Sequence, residues 1–148
     1  MTDSIRIVIA SDHAGFTLKE TVFSHLRSTQ LNAVDLGVDT ATSSVDFPDF
    51  AHLVSQTILN HKADLGILVC GSGIGMSIAA NRHKGIRAAL CTETYAAIMA
   101  RKHNDANVLC LGSRIVGSGL ALAIVDAFLA ASFEGGRHEL RIRKMEIS

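Results

Sequence analysis

The residues best suited to chemistry stand together at Cys70-Gly71-Ser72-Gly73-Ile74-Gly75, where an apolar run gives way to a helical pattern. Three glycines within 71–75 let successive backbone N–H groups turn toward one anion, and a helix start adds its dipole field. Such a nest suits a phosphate or a developing oxyanion, and it puts the Cys70 sulfur beside a field that favours negative charge. The same residues also make a tight turn that packs helix on strand around an inert cysteine, and spacing leaves both readings open. Several familiar loops are excluded. No GxxxxGK[ST] run occurs, the spacing is GxGxG rather than GxGxxG, and Met76 stands where a cysteine-phosphatase loop carries arginine.

Asp12-His13 pairs a carboxylate with an imidazole, which suits proton transfer or the gripping of a phosphate. Asp12 is equally a residue type that caps a following helix. Arg114, Arg137 and Arg141 offer forked N–H donors for a phosphate, although a basic run near a C-terminus is also an ordinary solvated face. His25, His52, His61, His83 and His138 form no HxxxH or HExxH arrangement. Asp49 and His52 share a helix face, but two ligands do not make a metal site, so no metal is expected.

The elements that must position these residues alternate. Short β-branched runs at 5–10, 33–37, 65–70, 86–91 and 107–112 read as strands, with helical patterns near 14–28, 48–61, 74–83, 94–103 and 117–131. Strands separated by helices require crossovers, and crossovers require a parallel sheet covered on both faces. The expectation is one domain over 1–148, a three-layer α/β/α sandwich with a five-stranded parallel, Rossmann-like sheet. The strand order is not legible. Ligands of such sheets bind outside the carboxyl ends of the strands, where Ser11-Asp12-His13, Gly71–Gly75 and Gly112-Ser113-Arg114 fall. His103-Asn104-Asp105 falls at the opposite, amino edge: either a solvated helix end or a contribution to another subunit's site. Gly135 and Gly136 are read as stopping the helix at 117–131 ahead of a basic tail, 135–148. There Arg137, Arg141 and Lys144 share a face if the tail is helical.

Composition bounds the function classes. The 148 residues are 48% hydrophobic with 14 basic and 14 acidic side chains, so neither nucleic acid nor an anionic membrane is called for. The apolar run at the N-terminus is short and broken by Arg6, unlike a signal peptide or a span of about 20 apolar residues. Three well-separated cysteines, Cys70, Cys91 and Cys110, form no CxxC pair or disulfide framework, which points to a reducing, cytoplasmic setting.

Taken in order, these segments resemble the type B ribose-5-phosphate isomerases, with galactose-6-phosphate isomerase subunits as relatives. The resemblance is carried by 10–15 (ASDHAG) with Lys19 following, by 46–49 (DFPD) and by 70–81 (CGSGIGMSIAAN). It continues through 85–88 (GIRA), 101–107 (RKHNDAN), 111–114 (LGSR), 133–138 (FEGGRH) and Arg141. It implies an aldose–ketose isomerase acting on ribose 5-phosphate and ribulose 5-phosphate through an ene-diolate. Cys70, His103, Asp12 and Ser72 would form the catalytic set. Cys70 would be the base, and His103 would handle the ring-oxygen proton as the cyclic sugar opens. Asp12 would help at the sugar hydroxyls and Asn104 would assist by hydrogen bonding. The amides of Gly71, Ser72, Gly73, Ile74 and Gly75 would stabilise the ene-diolate, while His13, Arg114, Arg137 and Arg141 would hold the phosphate. The resemblance also implies no cofactor, and a homodimer with shared sites in which His103 acts on the partner; dimer and tetramer are not distinguished. Phe47 departs from the family's tyrosine and Ser72 from the threonine of some members. Some relatives replace the cysteine by a carboxylate elsewhere in the loop, but Cys70 is present here and position 76 is Met. Rival readings are an isomerase of galactose 6-phosphate or allose 6-phosphate, and a non-catalytic phosphosugar-binding module.

Overall fold

The structure, a computed structural model, describes residues 4–147, so Met1–Asp3 and Ser148, which the expected domain and basic tail include, lie outside the described residues. The order is β1 (Arg6–Ser11), α1 (Phe16–Ser28), β2 (Asn32–Asp35), α2 (Phe47–Leu59), β3 (Leu65–Cys70), α3 (Ile74–Ala80), β4 (Ala88–Leu90), α4 (Thr94–Asn104), β5 (Val108–Gly112), α5 (Ser118–Ala130) and α6 (Arg137–Met145). The strands form one parallel five-stranded sheet in the order β2-β1-β3-β5-β4. Alternate residues of each strand serve opposite faces. Ile7, Ile9, Ile67, Val69, Leu109 and Leu111 pack against α1, α4 and α5. Val8, Ala10, Leu68, Cys70, Val108 and Cys110 pack against α2 and α3. The three-layer expectation holds, and it places the Cys70 side chain on the α2–α3 face.

The strand order carries a functional consequence. From β1 the chain moves outward to β2, then crosses back to β3 on the other side of β1. The connections leaving β1 and β3 therefore diverge, and the crevice between two such strand ends is where ligands of open parallel sheets bind.

Element ends differ from the sequence reading for local reasons. Residues 81–83 and 86–87 lie outside α3 and β4, because the Asn81 carboxamide pairs with both Ala88 backbone groups and Asn107 Oδ1 accepts the Arg87 N–H. Gly135 and Gly136 do not stop the preceding helix. It ends at Ala130, Ala131 is extended, and the two glycines, both at positive φ, instead turn the chain into α6. The basic tail is helical over Arg137–Met145, so Arg137, Arg141 and Lys144 do share a face. Among the described residues no helix is long and apolar enough to cross a membrane.

One buried charge ties the site-bearing connections to the sheet. Lys19 is fully buried, and its Nζ donates to both Asp35 oxygens at 3.0 and 2.9 Å and to the Val38 carbonyl. Asp35 also accepts the Gly37 N–H, while Ser11 and the 37–38 backbone exchange hydrogen bonds at the end of β1. Removing the carboxylate leaves the buried ammonium with only the longer, half-exposed contact to Glu20 at 3.5 Å as counter-charge. Asp35→Ala should therefore lower unfolding stability by about 3 kcal/mol, read by urea denaturation; a loss below about 1 kcal/mol would show that the ion pair is dispensable.

Candidate active site

At the carboxyl edge a pocket of about 400 Å³ is lined by Asp12, His13, Phe47, Cys70, Ser72 and Arg114, with Gly71 and Gly75 in its wall. The divergence of β1 and β3 opens it, and glycines shape its floor. A side chain on Gly15 would put Cβ 2.4 Å from the Val69 carbonyl oxygen, and one on Gly112 would put it 2.5 Å from the Ser72 carbonyl oxygen. Bare backbone thus packs on both flanks of the strand end that carries Cys70.

The cysteine loop is more committed than its sequence suggests. The Gly73 N–H, at a left-handed φ of 78°, points at Cys70 Sγ at 3.1 Å, and the Ile74 N–H donates to Ser72 Oγ at 3.2 Å. Two amides assigned to the substrate anion are therefore engaged inside the loop, one of them with the sulfur. Cys70 is buried apart from its pocket face. The other two cysteines offer no comparable sulfur. Burial, followed by the Glu93 carboxylate, pushes the Cys91 thiol up to about 11. Burial followed by the neighbouring Cys70 and Cys91 pushes Cys110 up as well. Both stay protonated at neutral pH, and Cys91 Sγ donates to the Ala89 carbonyl at 3.8 Å.

Asp12 and His13 are held by backbone. Asp12 Oδ1 accepts the Gly15 N–H at 2.9 Å, so one oxygen closes the turn, although the N-cap position of α1 belongs to Gly15. His13 Nδ1 accepts the Val45 N–H at 3.1 Å, so a neutral ring carries its proton on Nε2 and offers a donor there. Arg114 lies over Gly71, where a Cβ would meet its guanidinium nitrogen at 3.0 Å, and its own N–H donates to the Gly71 carbonyl. The Phe47 ring covers Gly75.

The remaining residues singled out by sequence gather elsewhere. His103 and Asn104 end α4 at the amino edge, where β5 begins, and β5 spans five residues at about 3.3 Å each. Within one chain they are a strand length from Cys70, as their place in the sequence requires. The α4 terminus is clamped by Arg101, which donates to Asp105 Oδ1 and the Ala106 carbonyl, and by Arg87 Nε, which donates to the Asn104 and Asp105 carbonyls. Arg137 and Arg141 lie on α6, which packs against α4 through stacked His103 and His138 rings, while the segment leading into it is tied to α4 by the Glu134 N–H donating to the Lys102 carbonyl. One chain therefore carries two half-constellations: Asp12, His13, Cys70, Gly71–Gly75 and Arg114 at one edge, and His103, Asn104, Arg137 and Arg141 at the other. Sequence reasoning weighed His138 only as a metal ligand and gave it no role, and it did not reach the Val45 amide. His138 lies between the two arginines on α6, a placement that could have drawn attention to it.

His103, Glu134 and His138 bring ligand atoms within 4.8 Å of one another. The two rings stack at 4.4 Å with only 12° between their planes, so their in-plane lone pairs cannot converge on one ion, and Arg137 and Arg141 add positive charge nearby. The arrangement does not fit a metal.

The sequence model of the family described as Ribose/Galactose Isomerase matches residues 7–145. A probable ribose-5-phosphate isomerase B of Mycoplasma genitalium is 50% identical over 143 residues, spanning 96% of this chain and 94% of that protein. The crystal structure of a ribose 5-phosphate isomerase from Thermotoga maritima has a TM-score of 0.94 at 53% identity, covering 97% of this chain and 98% of that one. The M. genitalium enzyme with bound ribulose-5-phosphate has a TM-score of 0.91 at 50% identity, covering 97% and 95%.

Because a Gly112 side chain would collide with the Ser72 backbone, Gly112→Ala must displace the loop that aims Gly73 at the sulfur. Turnover of ribose 5-phosphate should fall by about 10²-fold, the scale of a 1 Å misplacement, with the α/β circular dichroism retained. Wild-type turnover in a folded Gly112→Ala protein would contradict this account of the loop.

Proposed function

The chain belongs to the Ribose/Galactose Isomerase family, and we propose that it interconverts ribose 5-phosphate and ribulose 5-phosphate, with Cys70 carrying the proton between adjacent carbons. The observation that carries this reading is the Cys70 sulfur, met by a backbone N–H and facing a pocket that also holds His13 and Arg114. The bound ribulose-5-phosphate of the M. genitalium relative supports the pentose phosphate as substrate.

The chemistry follows from the groups present. Open-chain ribose 5-phosphate has its carbonyl at C1. Cys70, as thiolate, takes the C2 proton, and the electron pair passes through C1–C2 onto the carbonyl oxygen, forming an ene-diolate. Loop amides stabilise that negative charge, as an oxyanion hole does. A proton moves between the two oxygens, and the Cys70 S–H returns its proton to C1, leaving the ketone at C2. No electron leaves the substrate, so the reaction calls on no redox cofactor. His13 through Nε2–H and Arg114 through its guanidinium hold the phosphate, so that binding energy fixes the reacting carbons near the sulfur. Asp12 keeps one carboxylate oxygen for the sugar hydroxyls, and Ser72 positions the loop through Ile74.

The second half-constellation is supplied by a second copy. In this reading His103 of the partner subunit moves the ring-oxygen proton, with Asn104, Arg137 and Arg141 of the partner subunit completing the site. Two features support it: the strand length separating the halves, and exposed apolar side chains around the pocket rim and the β4 edge. Ile74, Ile78, Tyr95 and Ile115 are 52, 60, 68 and 59% exposed. A homodimer covers such a surface, and its two-fold symmetry builds two identical sites. The cytoplasm, as a reducing setting, suits the three unpaired cysteines.

Two tests follow. Cys70→Ala should fold and bind the sugar phosphate while losing about 10³-fold or more in ribulose 5-phosphate formation, read spectroscopically. Full turnover would remove Cys70 as the base, and a wild-type chain that binds without turnover would be a phosphosugar-binding module. Mixing inactive Cys70→Ala and His103→Ala proteins after subunit exchange should restore about a quarter of wild-type activity, because half the dimers are mixed and each has one intact site. Exchange without any recovery would place both residues in the same subunit's site.

A further inference from the structure

The His103 imidazole does not stand alone. His138, on α6, stacks on it at 4.4 Å between ring centroids with the planes 12° apart. The His138 ring is only 5% exposed, and its Nε2 has no hydrogen-bond partner among the described residues, so packing rather than polar bonding sets its position. The backbone fixes it firmly. Gly135 and Gly136 adopt positive φ to enter α6, the His138 N–H returns to the Gly135 carbonyl, and the Glu134 N–H bonds the Lys102 carbonyl at the end of α4.

We propose that His138 is a positioning residue for sugar-ring opening: its buried face holds the His103 imidazole in the orientation that meets the furanose oxygen. The inference rests on the reading of His103 as the ring-opening residue. His103 must rotate little and exchange a proton freely. A stacked ring restricts the first without competing for the second, because it occupies the π-face of His103 and leaves the in-plane nitrogens to the substrate. Burial, then the neighbouring His103 and Arg137, lowers the proton affinity of His138, with Arg141 acting the same way and Glu134 against it. A neutral His138 face accepts either form of His103 and repels neither.

The two sugar phosphates separate this role from a general structural one. Ribose 5-phosphate is mostly a closed furanose and must be opened. Ribulose 5-phosphate is open-chain, since its C5 oxygen carries the phosphate, so exchange of its C1 hydrogen with deuterium oxide, followed by NMR, reports proton transfer alone. His138→Leu fills the buried volume without a ring. It should lower ribose 5-phosphate turnover by about tenfold while leaving C1 exchange within about twofold, and His138→Phe, which keeps the stack, should recover most of the loss. The proposal is overturned if His138→Leu lowers both reactions alike, or if His138→Phe is as impaired as His138→Leu. A His103→Ala control that fails to separate the two reactions overturns the ring-opening reading of His103 and the proposal together. A control that separates them while His138→Leu does not overturns the positioning role alone.

Discussion

The site depends on the unobstructed approach of backbone to backbone on both flanks of the β3 terminus. Gly15 lies against the Val69 carbonyl on one side and Gly112 against the Ser72 carbonyl on the other. A single methyl group at either point would collide with main chain, which cannot swing aside as a flexible side chain can. Between these contacts the chain leaves β3 at Cys70, turns through a left-handed Gly73, and brings that residue's N–H onto the sulfur. The sulfur is placed by main-chain geometry, at the end of a central strand of the sheet.

The same economy extends to the residues around it. The Val45 amide fixes the His13 ring, the Gly15 amide fixes Asp12, and the Ser113 hydroxyl reaches the Ala14 carbonyl to bind the loops after β1 and β5 together. Beneath them the Lys19–Asp35 pair anchors the connection whose far end supplies Val45 and Phe47. At the amino edge the Arg87, Arg101 and Asp105 network performs a similar service for the α4 terminus. Each edge is organised separately, as expected if each serves a site completed by another copy.

The fold was largely legible because a doubly covered parallel strand is apolar on both faces, so runs such as LGILVC (65–70) announce their limits; that strand occupies Leu65–Cys70. The ends of β4 and α3 were less legible, since an asparagine side chain rather than a turn motif decides them. Gly135 and Gly136 misled for a related reason: glycine marks a change of direction, and only the three-dimensional path reveals whether a helix is ending or beginning. Strand order was invisible, because it is set by which faces pack rather than by any local pattern. At the site, residue types and spacing picked out Cys70, Asp12, His13 and Arg114, which one pocket unites. Contacts made by main-chain amides, such as that of Val45, have no signature in residue type. The stacking of His138 on His103 was not foreseen because stacking, unlike ligand spacing, leaves no periodic mark.

The central claim is that Cys70 alone among the cysteines is presented to the substrate by the glycine loop. Alkylation with iodoacetamide, resolved by peptide mass spectrometry beside the residual activity, tests it most directly. A single modification at Cys70, leaving Cys91 and Cys110 as buried thiols, should track the loss of turnover one for one and be slowed by ribose 5-phosphate. Protein fully alkylated at Cys70 that still isomerises the sugar phosphate at the original rate would contradict the account.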